Sequence, residues 1–306
     1  MVTELTALLR RDQTTVLPGA ANALTARLIE EVGFEAAYVT GAGIANTFLG
    51  VPDIGLLGVT ELALHVSAMR EAVQIPLIVD ADTGFGNAVN VWRTVRVLER
   101  AGADAIQIED QTFPKRCGHF ADKAVIDAWE MADKVTAACE ARRGPGCLII
   151  ARTDARAELG MDEACRRANL YREAGADIAF VEAPQTVEEI GFIAREVPGP
   201  KILNVVRGGV TPELPIERIS ELGYTFALFA NLALLAGIHA VRETLTHLHS
   251  NARLGDEPPI ASWDDRQRLV KKPEFDELGK RYSGEAGPRE QSPGGRLHIV
   301  GGEGDP

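Results

Sequence analysis

The sequence predicts a (β/α)8 TIM barrel with extra C-terminal helices, and two observations lead to this fold. First, one pattern recurs four times: a charged residue near a helix end, a glycine suited to a left-handed cap, and then a buried-strand run. The four copies are "EVGFEAAYVT" (31–40), "RAGADAIQIE" (100–109), "EAGADIAFVE" (173–182) and "ELGYTFALFA" (221–230). Second, four other strand-like runs lie between the copies: "TVLPGA" (15–20), "PLIVDADTG" (76–84), "CLIIARTDA" (147–155) and "KILNVVRGG" (201–209). Interleaving the two sets gives eight strands.

Helical segments alternate with these strands, which favours a parallel sheet with helices on its outer face. The clearest segments are 60–73, 89–101, 127–142, 162–174 and 186–196. A doubly wound open sheet is the alternative, but it would carry a glycine-rich phosphate loop after the first strand. The sequence there, "LPGAANA", is not GxGxxG. The closed barrel is therefore the predicted fold.

The chain continues beyond the eighth strand with an apolar-striped helix at 231–250 and a further helical stretch around 264–281. We expect a barrel domain over 1–250, a helical extension over 251–282 and a flexible tail over 283–306, which is rich in glycine, proline and charge. The apolar helix must bury its stripe against its own barrel or against a second copy of the chain. The residues alone leave both options open.

Composition limits the partners and the compartment. The 306 residues carry a net charge of −12 with a pI near 5.1, which argues against nucleic acid or an anionic membrane as a partner. No apolar run approaches the roughly 20 residues that a membrane span needs, and the amphipathic start "MVTELTALLRRDQ" does not resemble a signal peptide. The four cysteines show no CxxC spacing, so we expect neither a disulfide nor a zinc framework and predict a cytoplasmic protein.

Acidic residues end two neighbouring strands of the predicted barrel. Asp80 and Asp82 are two residues apart, so on an extended strand both side chains would leave on one side. Glu109 ends the next strand, and the ends of barrel strands converge on one face. Oxygen ligands without histidine or cysteine suit Mg²⁺, with Mn²⁺ as a substitute. The alternative is that these acids form ion pairs with lysine and arginine on the barrel rim.

Two cationic features complete the candidate site. Arg152 lies on a buried strand and therefore needs an anion, either Glu182 in a structural ion pair or a substrate carboxylate. In "PKRCGHF" (114–120), Cys117 is surrounded by Lys115, Arg116 and His119, which favour the thiolate. Such a thiol can act as a nucleophile or as a general acid–base group, although a lone loop cysteine often has no function.

Several motifs in order resemble the isocitrate lyase/phosphoenolpyruvate mutase superfamily over about residues 10–250. They are "YVTGAGIANTFLGVPDIG", "VDADTGFGN", "IEDQTFPKRCGH", "ARTDA", "FVEAP" and "NVVRGGVTP". The most specific of them, "KRCGH", is typical of the carbon–carbon lyase branches that act on 2-methylisocitrate and 2,3-dimethylmalate. The resemblance implies Mg²⁺-dependent reverse aldol cleavage of a 2-hydroxy di- or tricarboxylate to a 2-oxo acid, in a homodimer or homotetramer that exchanges its last barrel helix between subunits.

The resemblance also implies a role for each matching residue. Asp80, Asp82 and Glu109 would hold Mg²⁺. Cys117 would protonate the carbanion product, and Asp53 would assist proton transfer. The remaining residues would act on the substrate: Tyr38, Thr40, Gly41, Ala42 and Arg152 at its 2-oxo acid end; His119, Glu182 and Asn204 at its second carboxylate; and Lys115, Arg116 and Gly118 in the cysteine loop.

Two departures bear on the subgroup. The chain has "NVVRGG" where methylisocitrate lyases tend to have the strand-7 asparagine followed by "ITEFG", and Arg207 replaces the acid of the "NMVEGG" pattern seen in dimethylmalate-lyase-like members. Ala42 replaces a glycine that is common at that position. The alternatives are a phosphonopyruvate or phosphoenolpyruvate mutase-type enzyme, an oxaloacetate decarboxylase and a non-catalytic barrel. Cys117 disfavours the first two, and the intact acid cluster with Arg152 disfavours the third.

Overall fold

Eight parallel strands close into a barrel in the computed structural model, which describes residues 4–115, 124–144, 146–253 and 260–283. The strands are β1 (Thr15–Ala20), β2 (Ala37–Val39), β3 (Leu77–Asp80), β4 (Ala105–Glu109), β5 (Leu148–Thr153), β6 (Ile178–Val181), β7 (Lys201–Asn204) and β8 (Phe226–Phe229). Each falls inside one of the eight predicted runs, so the predicted barrel is confirmed.

The strands follow one another around the barrel in chain order, and β8 pairs with β1 to close it. Val16 lies opposite Ala227 in the closing pair, and Gly19 lies opposite Tyr38 between β1 and β2. This closure excludes the open doubly wound sheet, which would leave two edges unpaired. It also brings the carboxyl ends of all strands to one face of the barrel.

Six of the seven predicted helical segments are confirmed to within one residue at each end, and the structure adds short helices that were not predicted. The described α-helices are α1 (Glu4–Leu8), α2 (Ala23–Val32), α3 (Gly41–Ile44), α4 (Val59–Ala72), α5 (Ala88–Ala101), α6 (Ala128–Ala141), α7 (Arg156–Leu159), α8 (Met161–Glu173), α9 (Val187–Glu196), α10 (Ile216–Glu221), α11 (Leu232–Asn251), α12 (Trp263–Leu269) and α13 (Lys272–Tyr282), and a π-helix, Ala45–Leu49, follows α3. The predicted helix at 264–281 is two helices, because Lys271 takes a left-handed φ of 58° between them.

The repeated glycine has the conformation that its position predicts. Gly33, Gly102, Gly175 and Gly223 all have positive φ, between 74° and 113°. This left-handed conformation ends the preceding helix and turns the chain into the next strand, and glycine adopts it without a Cβ penalty. The recurring phrase is therefore a recurring helix-to-strand turn.

Apolar side chains fill the barrel and the layer around it. The interior cluster includes Leu17, Ile78, Ile150, Phe180 and Phe226, all at most 1% exposed. Leu5 and Leu8 of α1 join this cluster beside residues at the starts of strands, so α1 packs at the amino-terminal end of the barrel. The opposite end is left for polar side chains.

The described chain divides into two compact units, residues 1–259 and 260–306. In the first unit, α11 has no buried residue, and six of its large apolar side chains are 40–58% exposed. These side chains are Leu232, Leu235, Ile238, Val241, Leu245 and Leu248. The second unit contains α12 and α13. Within the described ranges, no helix has the length and apolar character to cross a bilayer.

Candidate active site

A cavity of about 230 Å³ opens at the carboxyl ends of the strands, and most of the predicted site residues line it. The predicted residues in its wall are Tyr38, Thr40, Ala42, Asp53, Asp80, Glu109, Lys115, Arg152, Glu182 and Asn204. Arg207, Gly208, Gly209 and Asn231 also line it. The predicted residues Arg116, Cys117, Gly118 and His119 lie outside the described residues.

Asp80 and Asp82 come together at the end of β3, but not as an extended strand would place them. β3 ends at Asp80, and Asp82 takes a left-handed φ of 48°. The sequence argument from strand alternation was therefore wrong for Asp82. Both carboxylates nevertheless face Gly41 at the start of α3: a Cβ added to Gly41 would lie 3.4 Å from Asp82 Oδ1 and 3.5 Å from Asp80 Oδ2.

The loop that carries Asp82 is held in place from the helices outside the barrel. The buried ammonium of Lys134 on α6 donates to the Thr83 carbonyl at 3.0 Å. The hydroxyl of Thr94 on α5 donates to the Gly84 carbonyl at 3.1 Å. Because these bonds fix consecutive carbonyls, the unusual backbone at Asp82 is maintained by its surroundings.

Lys115 forms ion pairs inside the acidic group. Its ammonium nitrogen lies 2.5 Å from Asp53 Oδ1 and 2.7 Å from Asp82 Oδ1, and its side chain is only 4% exposed. Burial alone would lower the pKa of Lys115, but the surrounding carboxylates, Asp82 foremost, raise it above its ordinary value. The lysine therefore remains charged and neutralises part of the acidic group.

The carboxylates are not fully neutralised by this lysine. Burial raises the pKa of Asp80 and raises that of Glu109 well above its ordinary value. Burial is also the main cause that raises the pKa of Asp82 to about 7; Lys115 opposes it and Asp80 reinforces it. Elevated pKa values in a cluster of carboxylates indicate a place where further positive charge would be stabilised.

This donor set fits a hard divalent cation. Within residues 4–115, 124–144, 146–253 and 260–283, no group of three or more His, Cys, Asp or Glu side chains encloses a metal position by itself. However, Glu109 Oε1 is buried and has no hydrogen-bond partner among the described residues. Mg²⁺ commonly uses one or two carboxylates and completes its shell with waters. Asp80 and Glu109, with Asp82 beside them, offer that kind of site.

Arg152 on β5 is paired mainly with a residue that the sequence analysis did not select. Asp154 accepts from Arg152 Nε at 2.9 Å and from Nη2 at 3.0 Å, which is a bidentate pair. Glu109 and Glu182 lie farther from Nε, at 3.4 and 3.6 Å. The i, i+2 spacing of Arg152 and Asp154 was a signal for this contact, since alternate strand residues share a face. Arg152 also lines the cavity, so it can contact a bound anion.

The wall formed by β6 and β7 presents a carboxylate and an amide. The Asn204 side-chain nitrogen donates to Glu182 at 3.1 Å, and both residues line the cavity. Asn204 Oδ1 is buried with no hydrogen-bond partner in the described part of the chain. This oxygen can therefore accept a hydrogen bond from a donor on a ligand.

A polar chain connects Tyr38 to the acidic group. The Tyr38 hydroxyl donates to Gln107 Oε1 at 2.7 Å, and Gln107 Nε2 donates to Asp80 Oδ1 at 3.1 Å. Burial raises the pKa of Tyr38 well above its ordinary value, so the phenol stays protonated. Gln107 was missed by sequence reasoning, although a glutamine inside the apolar run "AIQIE" was a visible signal.

These observations define an enzyme-type site: buried acids and two buried cations at the carboxyl end of a (β/α)8 barrel. A family model described as phosphoenolpyruvate phosphomutase matches residues 5–249. The chain belongs to this family, which confirms the resemblance to the isocitrate lyase/phosphoenolpyruvate mutase superfamily.

Individual relatives include two carbon–carbon lyases. A 2,3-dimethylmalate lyase of Eubacterium barkeri is 44% identical over 244 residues, covering 80% of this chain and 84% of the relative. A 2-methylisocitrate lyase of Aeropyrum pernix is 46% identical over 241 residues, covering 79% of this chain and 77% of the relative. Among solved structures, a phosphonopyruvate hydrolase complex with oxalate and Mg²⁺ superposes with a TM-score of 0.83 at 32% identity, covering 92% of this chain and 98% of that one.

Proposed function

We propose that the protein is a carbon–carbon lyase that depends on a divalent metal and cleaves a 2-hydroxy di- or tricarboxylate of the 2-alkylmalate or 2-methylisocitrate type. The products are a 2-oxo acid, such as pyruvate, and a carboxylate, such as propionate or succinate. The observation that carries the proposal is the cavity in which Asp80 and Glu109, with raised pKa values, face the buried cations Arg152 and Lys115. The names of the two lyase relatives support the same class of reaction.

The acids are proposed to hold Mg²⁺, with Mn²⁺ as a substitute. Asp82 is bonded to both of the other acids through its backbone: Asp82 N donates to Asp80 Oδ1 at 3.1 Å, and Glu109 N donates to the Asp82 carbonyl at 2.9 Å. Mg²⁺ named in the phosphonopyruvate hydrolase complex supports this assignment. When bound, the metal would act as a Lewis acid and stabilise negative charge that develops on the substrate oxygens.

The 2-oxo acid end of the substrate is proposed to lie between the start of α3 and Arg152. The backbone at Gly41 and Ala42 and the hydroxyls of Tyr38 and Thr40 offer neutral polar groups there. Arg152 offers a charged donor, and charge-assisted bonds to carboxylates are the stronger kind. Lys115, Glu182 and Asn204, with Arg116, Gly118 and His119 of the loop, are proposed to surround the second carboxylate.

Proton transfers complete the proposed reaction. The 2-hydroxyl loses its proton to Asp53, the C2–O bond becomes a carbonyl, and the electron pair of the C2–C3 bond stays on C3 as an enolate-like carbanion. Cys117 then gives its thiol proton to C3, and Asp53, which lines the cavity, assists in returning a proton to the thiolate. A positioned acid is needed because the carbanion forms beside a carboxylate.

One assay separates this activity from its alternatives. Purified protein with Mg²⁺ is incubated with 2,3-dimethylmalate, other 2-alkylmalates, 2-methylisocitrate, isocitrate, oxaloacetate and phosphonopyruvate, and the release of 2-oxo acid and of phosphate is measured. We expect 2-oxo acid from a 2-alkylmalate or from 2-methylisocitrate. Turnover of oxaloacetate or phosphonopyruvate alone would contradict the proposal.

We also propose that the protein forms a homodimer or homotetramer in which α11 packs against another subunit. The exposed apolar side chains of α11 support this, because a monomer rarely leaves so long a stripe in water. A small carboxylate is the only other partner proposed. The cytoplasm is the proposed location, and the three described cysteines, Cys139, Cys147 and Cys165, are free thiols, as expected there.

A further inference from the structure

The segment between β4 and α6 begins and ends in a short antiparallel pairing, which we name the loop stem: residues 110–112 and 124–126. Thr112 N donates to the Ala124 carbonyl at 2.8 Å, and Ile126 N donates to the Asp110 carbonyl at 2.8 Å. Gln111 and Val125 form an antiparallel bridge between these two bonds. The loop stem therefore fixes the point at which the chain leaves the barrel and the point at which it returns.

A single arginine on α8 binds both strands of the loop stem. Arg167 Nη1 donates to the Ile126 carbonyl at 2.8 Å and to Asp110 Oδ2 at 3.2 Å. Its Nε donates to Glu163 Oε1 at 2.9 Å, which orients the guanidinium from the other side. Arg167 is only 6% exposed, so these bonds are shielded from water.

The carboxylate of Asp110 connects this contact to the site. It is fully buried and accepts from the hydroxyls of Thr153 at 2.7 Å and Tyr171 at 2.8 Å. Its other oxygen accepts from the Asp154 backbone nitrogen at 2.9 Å. Asp154 is the residue that holds Arg152 in a bidentate pair. The loop stem and Arg152 are thus oriented by one continuous hydrogen-bonded network.

We infer that Arg167 is a positioning residue, which sets the direction of the loop stem relative to Arg152 and so the position of Lys115 at the cavity. The outgoing strand of the stem reaches Lys115 three residues after Thr112, and Lys115 lines the cavity. Removing Arg167 would leave the Asp110 carboxylate buried without a cation and would free the Ile126 carbonyl. Both strands of the stem would then lose their common support.

Hydrogen exchange tests this directly in the full-length protein with Mg²⁺. Three variants are compared with wild type: Arg167→Met, Arg167→Lys and the control Arg166→Met. Arg166 is next in the chain and pairs with the same Glu163 at 2.6 Å, but it is 55% exposed. We expect the Thr112 and Ile126 amides to exchange roughly tenfold faster or more in Arg167→Met, the change expected when about 1.4 kcal/mol of local stability is lost. Arg167→Lys should show a smaller increase, and the control none.

The activity arm rests on the proposed function. With the best lyase substrate, Arg167→Met should lower kcat by about tenfold to a hundredfold and change KM less, because misplacement of a reacting group by about 1 Å has effects of that size. The lysine variant should recover part of the loss. If Arg167→Met does not fold, the test is the comparison of exchange and turnover between Arg167→Lys and the control Arg166→Met. If the Thr112 and Ile126 amides exchange as slowly in the folded Arg167 variants as in the control, the inference is wrong. If wild type lacks lyase activity, the proposed function fails, and the exchange arm still decides the role of Arg167.

Discussion

The ammonium nitrogen of Lys115 lies 2.7 Å from Oδ1 of Asp82, which makes a buried ion pair at the edge of the proposed metal site. Asp82 nevertheless has a pKa raised to about 7, chiefly by burial. The unfolded chain would release the same proton near pH 3.9. Between these values the folded protein binds more protons than the unfolded chain.

This pKa shift predicts how the stability of the metal-free protein depends on pH. The free energy of unfolding should decrease as pH rises from about 4 to about 7, by up to about 1.4 kcal/mol per pH unit for this one proton. Asp82→Asn should reduce that slope, and asparagine tolerates the left-handed backbone at this position. The measurement is urea unfolding in chelator at several pH values. The control is Asp162→Asn, an exposed carboxylate on α8. A slope in Asp82→Asn equal to that of wild type would show that Asp82 does not titrate in this range.

Asp80 is predicted to be required for metal binding. Asp80→Ala should lower Mg²⁺ affinity by at least an order of magnitude, since few carboxylates hold the ion and each carries much of its binding energy. Calorimetric titration of Mg²⁺ checks this, with Asp12→Ala as the control, because Asp12 is exposed and lies just before β1. Excess chelator should abolish turnover, and added Mg²⁺ or Mn²⁺ should restore it. Full turnover in chelator would refute the metal assignment.

Arg152 is predicted to contribute to substrate binding and turnover but not to metal binding. Arg152→Lys keeps the charge but cannot form the planar pair with Asp154 and a second planar contact with a carboxylate. We expect kcat/KM to fall about tenfold to a hundredfold, which corresponds to the 1.5–3 kcal/mol of a charge-assisted bond. Mg²⁺ affinity should change little. Steady-state kinetics and metal titration on the same preparation test both statements, and a loss of metal binding alone would contradict them.

The exposed apolar face of α11 predicts the state of assembly. Wild type should be a dimer or tetramer by light scattering at micromolar concentration. Val241→Glu, at a position that is 58% exposed, should shift it toward monomer because a charge would be buried in the interface. Val187→Glu on α9, also an exposed apolar position at 42%, is the matched control and should leave the assembly intact. A stable wild-type monomer would contradict the proposed interface.

The sequence predicts the barrel well because its signals are local. Each strand is a short apolar run, and each repeated glycine ends a helix through its own backbone conformation, so neither requires knowledge of distant residues. The placement of Asp80, Glu109 and Arg152 follows from the same source, since residues that end parallel strands must converge once the barrel closes. Asn204 and Glu182 were found in the same way.

The contacts that orient these side chains depend on loops and could not be predicted. The left-handed turn at Asp82 is supported by Lys134 on α6, and no local sequence pattern predicts this turn. Lys115 reaches Asp53 and Asp82 only because the loop after β4 folds back toward the β3 loop. These interactions join residues far apart in sequence, whereas strand and cap patterns concern neighbours.

Steady-state turnover by Cys117→Ser tests the central claim most directly. Serine is nearly the size of cysteine, but its hydroxyl is a far weaker acid, so a proton donor at this position should be lost while packing is kept. We predict that 2-oxo acid release falls about 10²- to 10⁴-fold, the usual scale for general acid–base groups, with Mg²⁺ affinity unchanged. Cys139→Ser is the control, since Cys139 donates to the Gly175 carbonyl away from the cavity and its replacement should leave turnover intact. A Cys117→Ser variant that keeps more than about a tenth of the wild-type rate would contradict proton donation by Cys117 and would favour a decarboxylase or phosphonate enzyme instead.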